Sequence, residues 1–304
     1  MKFPLSKYIW FDGKLVPVNM AKVPVTTHAI HYGTSIFEGI RAYWNSNLYV
    51  FRLKDHVKRF RNSGKFYNIK LNFSDRQIEN AVIDLCKKNK IRKSCYIRPF
   101  YFVGQYGINF HVTQKAPTHT AIFAFPFGDL FNKSGITATI SKWRKFSDMS
   151  TPTQAKMGGN YLNSILATQD AKQRGFDEAI LLDQSGNVSE APGENIFLVK
   201  NNMLVTPSLS SSALDGITRR SIITLAKDMK LKIKTQKVSK KELKMADEIF
   251  LSGTAAEITP VIKIDKKKIG EGKVGNITKL FMATYSDIVM NKSENYSHWL
   301  TAVY

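Results

Sequence analysis

Ala179-Ile180-Leu181-Leu182-Asp183-Gln184-Ser185-Gly186-Asn187-Val188-Ser189-Glu190-Ala191-Pro192-Gly193-Glu194-Asn195-Ile196-Phe197-Leu198-Val199-Lys200-Asn201-Asn202-Met203-Leu204-Val205-Thr206 carries the strongest pattern in the chain. Short apolar runs, Ala179–Asp183, Val188–Glu190, Ile196–Lys200 and Met203–Thr206, are separated by the turn residues Gln184-Ser185-Gly186-Asn187, Pro192-Gly193 and Asn201-Asn202. Such spacing predicts an antiparallel meander. Working outward, helical periodicity over about 160–174 stops at Gly175, and further helices are expected near 217–230 and 274–291. A strand, Ile136–Ser141, opens this half of the chain.

The N-terminal half reads similarly. Tyr8-Ile9-Trp10-Phe11 and Leu15-Val16-Pro17-Val18 flank an Asp12-Gly13-Lys14 turn, which is a hairpin signal. Another strand, Leu48–Phe51, precedes helices near 54–67 and from Ser74 or Asp75, where Ile78, Ala81, Val82 and Leu85 recur at helical spacing. Cys95–Val103 and Thr120–Phe127 are β-rich. Strands and helices in groups, without regular β-α-β alternation or internal repeats, argue for an α+β fold. The length of 304 residues suggests two domains. The glycine-bounded polar stretch Gly128–Gly135 divides the chain into residues 1–128, a linker at 129–134, and residues 135–304.

Composition excludes several classes. Apolar residues at 43% and charged residues at 23% are those of a globular protein rather than a disordered or collagen-like chain. Two cysteines, Cys86 and Cys95, supply neither a disulfide scaffold nor a cysteine zinc site, and no metal is expected. No apolar run approaches the length of a membrane span, and Met1–Lys7 lacks the apolar core of a targeting segment, so a cytoplasmic location is expected. The net charge of +21 raises nucleic acid as a partner. Against that, residues 151–200 hold 4 basic and 6 acidic side chains, and the excess concentrates in 51–100 without any zinc-finger or basic-zipper pattern. A positive surface that attracts anionic metabolites is the better reading, with no specific nucleic acid partner.

Four segments could carry chemistry. Lys156 precedes Met157-Gly158-Gly159 in the net-acidic block. A lysine becomes a nucleophile where burial or neighbouring charge depresses its pKa, and a glycine pair admits a bulky ring to the backbone. Alone, this motif reads as a surface lysine at a helix entry. Leu214-Asp215-Gly216-Ile217-Thr218-Arg219-Arg220 opens a helix whose first N–H groups suit a phosphate, although an ordinary capped helix looks the same. Ser252-Gly253-Thr254-Ala255-Ala256 offers a second anion seat or a simple turn. Ser189-Glu190-Ala191-Pro192-Gly193-Glu194-Asn195 sets carboxylates beside a rigid bend, where one could hold a protonated heterocycle. Together they hold a reactive amine, an acidic partner and two anion seats, which is the inventory for pyridoxal phosphate.

The chain resembles the branched-chain aminotransferases of the class IV, fold-type IV aminotransferase family almost from end to end. The resemblance rests on His31-Tyr32-Gly33-Thr34-Ser35-Ile36-Phe37-Glu38-Gly39-Ile40-Arg41, His56-Val57-Lys58-Arg59, Tyr96-Ile97-Arg98-Pro99, Lys156-Met157-Gly158-Gly159-Asn160-Tyr161, Ser189-Glu190 with Gly193-Glu194-Asn195, Gly216-Ile217-Thr218-Arg219, and Gly253-Thr254-Ala255-Ala256-Glu257-Ile258. It implies a small N-terminal α/β domain, a larger β-rich C-terminal domain with flanking helices, and pyridoxal 5'-phosphate in the interdomain cleft.

By the same resemblance, Lys156 is the catalytic lysine that carries the cofactor as a Schiff base. Glu190 partners the pyridine nitrogen and Tyr161 donates to the ring's 3-oxygen. Arg59, Leu214, Ile217, Thr218 and Thr254 complete the cofactor ligands, most of them around the phosphate. For substrate, Arg98 resembles the residue that receives glutamate's side-chain carboxylate. Independently, a strand at Cys95–Val103 puts Tyr96, Arg98, Phe100 and Phe102 on one face, and an arginine on an aromatic face needs an anion. Tyr32, Phe37 and Tyr96 resemble pocket walls, while Thr254 and Ala255 would hold the α-carboxylate.

The implied reaction is ping-pong transamination between L-leucine, L-isoleucine or L-valine and 2-oxoglutarate, yielding branched 2-oxo acids and L-glutamate. D-amino-acid aminotransferase and aminodeoxychorismate lyase share the fold and are the rival readings. One departure is Leu130, where many relatives carry a tyrosine, so a pocket hydroxyl is missing or replaced. The loop Gly104–Thr113 resembles one that closes over a neighbouring subunit's site, which implies at least a homodimer and leaves a trimer of dimers open.

Overall fold

A computed structural model describes residues 5–304; Met1–Pro4, part of the stretch read for a targeting segment, lie outside the described residues. The chain forms two compact units. One runs to Gly128 and also takes in Ala155–Gly159 and Asp287–Tyr304, and the other comprises Asp129–Gln154 and Asn160–Ser286.

In the first unit β1 (Tyr8–Phe11) and β2 (Lys14–Pro17) form the expected hairpin, with Asp12 and Gly13 at φ of 44° and 91°. Positive φ at both positions matches the twist of the paired strands, and the two-residue turn draws Lys14 into β2. There follow α1 (His28–Tyr32), β3 (Ser35–Phe37), β4 (Ile40–Asn45), β5 (Asn47–Phe51), α2 (Leu53–Lys65), α3 (Asp75–Lys88), β6 (Cys95–Val103) and β7 (Thr118–Pro126). The strands make one antiparallel sheet ordered β5-β4-β6-β7-β1-β2, with β3 also on β6. Leu53, Val57 and Phe60 of α2 and Ile78, Val82 and Leu85 of α3 recur every three or four residues and are buried in the unit's core. Helix α3 starts with a capping box in which Ser74 and Gln77 satisfy each other's backbone N–H.

The second unit contains β8 (Ile136–Arg144), α4 (Tyr161–Gln173), β9 (Glu178–Leu182), β10 (Asn195–Lys200), β11 (Met203–Pro207), α5 (Ile217–Asp228), β12 (Ile233–Gln236), α6 (Lys240–Lys244), β13 (Glu248–Gly253), β14 (Glu257–Ile264), β15 (Lys267–Lys268) and all but the last turn of α7 (Asn276–Val289). Its sheet runs β12-β11-β10-β13-β14-β8-β9, with β15 on β14. The last strand, β16 (Leu300–Ala302), belongs to the first unit, where it pairs with β5.

The expected meander is only half present. Strands β10 and β11 pair antiparallel, but β9 pairs with β8 in parallel, and Val188 makes a single bridge to Leu182. The cause is visible in burial: all five residues of β9 are buried, and α4 covers the β8–β9 edge of the sheet. A strand buried on both faces suits a parallel β-α-β arrangement better than a half-exposed meander. The β11-α5-β12 segment repeats this pattern, with β11 and β12 parallel. The sheet is therefore mixed, within the α+β class.

No helix among the described residues is long and apolar enough to cross a membrane.

Candidate active site

Lys156 sits on a short segment stitched to β3 of the first unit. Its N–H donates to Ser63 Oγ at 3.0 Å, its carbonyl accepts from the Phe37 N–H at 3.1 Å, and Met157 bridges to Ile36. A Cβ on Gly158 would lie 2.3 Å from Ser35 Oγ. The absence of a side chain at Gly158 thus leaves room for the Ser35 hydroxyl of β3, a different reason from the approach of a ring. Beyond the stitched backbone, Lys156 Nζ lies 4.8 Å from the centre of the Phe37 ring. On the same ring, at 4.7 Å, rests the Arg98 guanidinium, which also stacks 5.3 Å from Tyr96 and donates to the Tyr96 hydroxyl at 3.1 Å. Arg98 Nε is buried without a partner. The amine is driven down from near 10.5 to about 8, chiefly by burial and then by the Arg59 cation, with Glu38 opposing.

That Lys156 value gives a pH prediction. Between pH 7 and 9 the free-amine fraction rises about 10-fold, and so should the rate at which the cofactor-free protein captures an aldehyde. Amine-selective labelling against pH measures it; a rate that keeps climbing past pH 10 would contradict a depressed amine.

Arg59 is not the solvated cation its lysine-rich neighbourhood suggests. Its Nε and a terminal nitrogen both donate to Glu38, at 2.6 and 2.9 Å, and the Glu38 carboxylate is fully buried. His56, one turn earlier on α2, brings Nδ1 to 2.7 Å from the same carboxylate. Burial alone would raise Glu38, yet Arg59 and His56 outweigh it and hold the carboxyl well below the usual carboxylate range. Burial is also the main reason the His56 imidazole is pushed down, against Glu38.

The second unit gathers Glu190, Leu214 and Asn195. Glu190 is buried and accepts from the Leu214 N–H at 2.8 Å and from Asn195 Nδ2 at 3.3 Å. Lys145 Nζ stands 2.5 Å from its other oxygen. Burial would lower the Lys145 amine, but Glu190 outweighs it and the amine is raised. Asn195 also donates to the Leu214 carbonyl, and its Oδ1 occupies the space that a Cβ on Gly216 would need, only 2.0 Å away. Gly216 is the N-cap of α5 and supplies no side-chain acceptor there, and Ile217 and Thr218 begin the helix, both buried. Thr254 and Ala255 form the half-buried turn between β13 and β14, next to Ser252, whose hydroxyl is buried without a partner. Tyr161 opens α4.

The structure thus gathers Lys156, Phe37, Tyr96 and Arg98 in the first unit, with Arg59 close enough to act on the amine. Glu190 and Leu214 lie together in the second. Tyr32 is 37% exposed, with its ring 4.6 Å from that of the buried His28 and 5.2 Å from that of the exposed Phe110. Sequence reasoning missed Glu38, His56, Lys145 and Asn195 as partners of these side chains. The available signal was a lone acid inside the apolar run Ser35–Ile40 of a lysine-rich chain; no comparable signal marks Lys145.

The family described as amino-transferase class IV matches residues 35–264. Among curated proteins, the branched-chain-amino-acid aminotransferase of Escherichia coli K12 is 42% identical over 303 residues, covering 98% of each chain. Among solved structures, the branched-chain aminotransferase of Thermoproteus uzoniensis with norvaline superposes with a TM-score of 0.95 at 41% identity, covering 98% of this chain and all of that one. The branched-chain amino acid aminotransferase of Thermobaculum terrenum, solved in its PLP-bound holo-form, gives 0.94 at 33%, covering 99% of this chain and 100% of that one.

Proposed function

Because the chain belongs to the class IV aminotransferases, we propose that it moves the amino group of L-leucine, L-isoleucine or L-valine to 2-oxoglutarate with pyridoxal 5'-phosphate as cofactor. That it is an aminotransferase follows from the family; the substrates and residue roles are the proposal. The observation that carries it is the Phe37 ring shared by the Lys156 amine and the Arg98 guanidinium, at 4.8 and 4.7 Å. An amine that changes protonation near neutral pH and a cation fit for a carboxylate stand over one aromatic wall. Glutamate offers the matching pair, an amino group and a distal carboxylate, and an aliphatic side chain can lie against the same rings.

The donor set fits the cofactor. Lys156 supplies the amine, Arg59 and the start of α5 around Leu214, Ile217 and Thr218 suit a phosphate, and Thr254 adds a hydroxyl. Glu190 suits a ring nitrogen and Tyr161 a ring oxygen. Pyridoxal phosphate, when bound, supplies the aldehyde and the electron sink that transamination needs. Lys156 Nζ, with its depressed pKa, then moves the proton at the substrate's Cα as base and acid. Thr254 and Ala255 are the proposed α-carboxylate seat, with Tyr32, Phe37 and Tyr96 lining the side-chain pocket. We also infer a cytoplasmic enzyme that is at least a homodimer; the exposed Ile108 and Phe110 in the loop 104–113 support that assembly. Residues 1–128 and 135–304, joined through 129–134, are the proposed functional domains, with the exception that Ala155–Gly159 and Asp287–Tyr304 pack with the first.

An absorption spectrum of the purified protein before and after L-leucine tests cofactor and substrate class together. A colourless protein that takes up no pyridoxal phosphate, or turnover of D-alanine in preference to L-leucine, would overturn the reading. Arg98→Leu should split the two half-reactions. Loss of a charge-assisted carboxylate contact should slow the glutamate half about 10²-fold while the leucine half changes far less. Single-turnover kinetics with each amino acid read this directly, and an equal loss on both would remove Arg98 from carboxylate recognition.

A further inference from the structure

Glu38 has no role in the chemistry proposed above, yet it is the most completely committed carboxylate of the first unit. It sits between β3 and β4 with no exposed surface, and its two oxygens serve Arg59 Nε, Arg59 Nη2, His56 Nδ1 and the Gly39 N–H. The position is over-determined. The Glu38 N–H is tied to the Pro99 carbonyl at 2.8 Å, and a Cβ on Gly39 would fall 1.8 Å from the Tyr96 hydroxyl. A buried carboxylate needs compensation, and here it comes from two side chains of α2, Arg59 among them, and from the Gly39 N–H in the β3–β4 link.

We propose that Glu38 is a positioning residue: by gripping one edge of the Arg59 guanidinium side-on, it fixes the direction in which that side chain meets the cofactor's phosphate, with His56 bracing the carboxylate from the preceding turn of α2. This rests on the reading of Arg59 as a phosphate ligand. Two physical effects of Glu38 oppose each other. Its charge offsets that of Arg59 and so weakens attraction for a phosphate. Its grip holds an otherwise flexible side chain in place, which removes an ordering cost from binding. The geometry favours the second, because a two-bond, side-on pair restricts a guanidinium far more than a single contact does.

The two effects predict opposite signs for Glu38→Gln. The cofactor-free protein is titrated with pyridoxal 5'-phosphate and, separately, with pyridoxal, which has the same aldehyde and ring but no phosphate. Any change in the Lys156 amine affects both ligands, so their ratio isolates the phosphate. Loss of a partner that orients a ligating group costs about 10–100-fold at metal sites. We expect that range for pyridoxal 5'-phosphate with Glu38→Gln, little change for pyridoxal, and no additional phosphate-specific loss when Arg59→Gln is already present.

Tighter phosphate binding in Glu38→Gln, or an equal loss for both ligands, overturns the proposal. If instead Arg59→Gln weakens both ligands alike, the premise about Arg59 is what has failed. Should Glu38→Gln not fold, Glu38→Asp keeps the charge but shortens its reach. It should show the same phosphate-selective loss, and an equal loss for both ligands again overturns the proposal.

Discussion

Lys156→Ala is expected to eliminate turnover, with a fall of at least about 10⁴-fold, because one substitution removes both the covalent attachment point and the proton-transfer group. The visible absorbance that pyridoxal phosphate acquires on a lysine amine should disappear with it. The fold should survive. The segment is held by backbone bonds to Ser63 and Phe37, which alanine retains, and removing a buried amine whose pKa is depressed relieves a desolvation cost. The sign follows from linkage: the unfolded amine binds its proton up to about 10.5 while the folded one releases it near 8, so stability contributed at this position rises with pH across that interval. Wild-type stability should show this rise and Lys156→Ala should lack it. Activity that persists in Lys156→Ala would end the assignment.

Glu190→Gln should separate chemistry from architecture. Turnover is expected to fall about 10²–10³-fold, the loss typical when a charged group that stabilises developing charge is neutralised, while the cofactor still attaches to Lys156. Stability should also fall, toward about 3 kcal/mol, because Lys145 is left buried beside a neutral amide instead of a carboxylate 2.5 Å away. The two losses can be pulled apart. Lys145→Met in the same chain removes the stranded cation, so the double variant should recover most of the stability and none of the turnover. Denaturant melts and steady-state rates on the four proteins of this cycle give both answers. A double variant that regains turnover would mean Glu190 acts only as the counter-ion of Lys145.

Local signals carried much of the architecture. The Asp12-Gly13 turn, the helix start at Ser74 or Asp75 and the 3–4 periodicity of α3 depend on residues a few positions apart, and each appears where its pattern stands. The failure at 179–206 is of another kind. Turn chemistry there described the local chain correctly but said nothing about which strand β9 pairs with, and β8 lies across an entire helix in sequence.

The same division runs through the candidate site. Lys156, Glu190 and Arg98 stand out by residue type, neighbours and resemblance, because a reactive amine, a carboxylate and an aromatic-flanked arginine are each conspicuous in their own segment. Which charge meets which does not follow from any of those segments. Glu38 reaches Arg59 across 21 positions, Lys145 reaches Glu190 across 45, and Ser35 fills the space that Gly158 leaves. Sequence determined the elements and the chemical inventory, since helix periods, turns and caps are short-range physics. Tertiary structure decided the pairings, the burial and therefore the pKa of each group, because desolvation and Coulomb energy depend on distances that exist only once the chain has closed on itself.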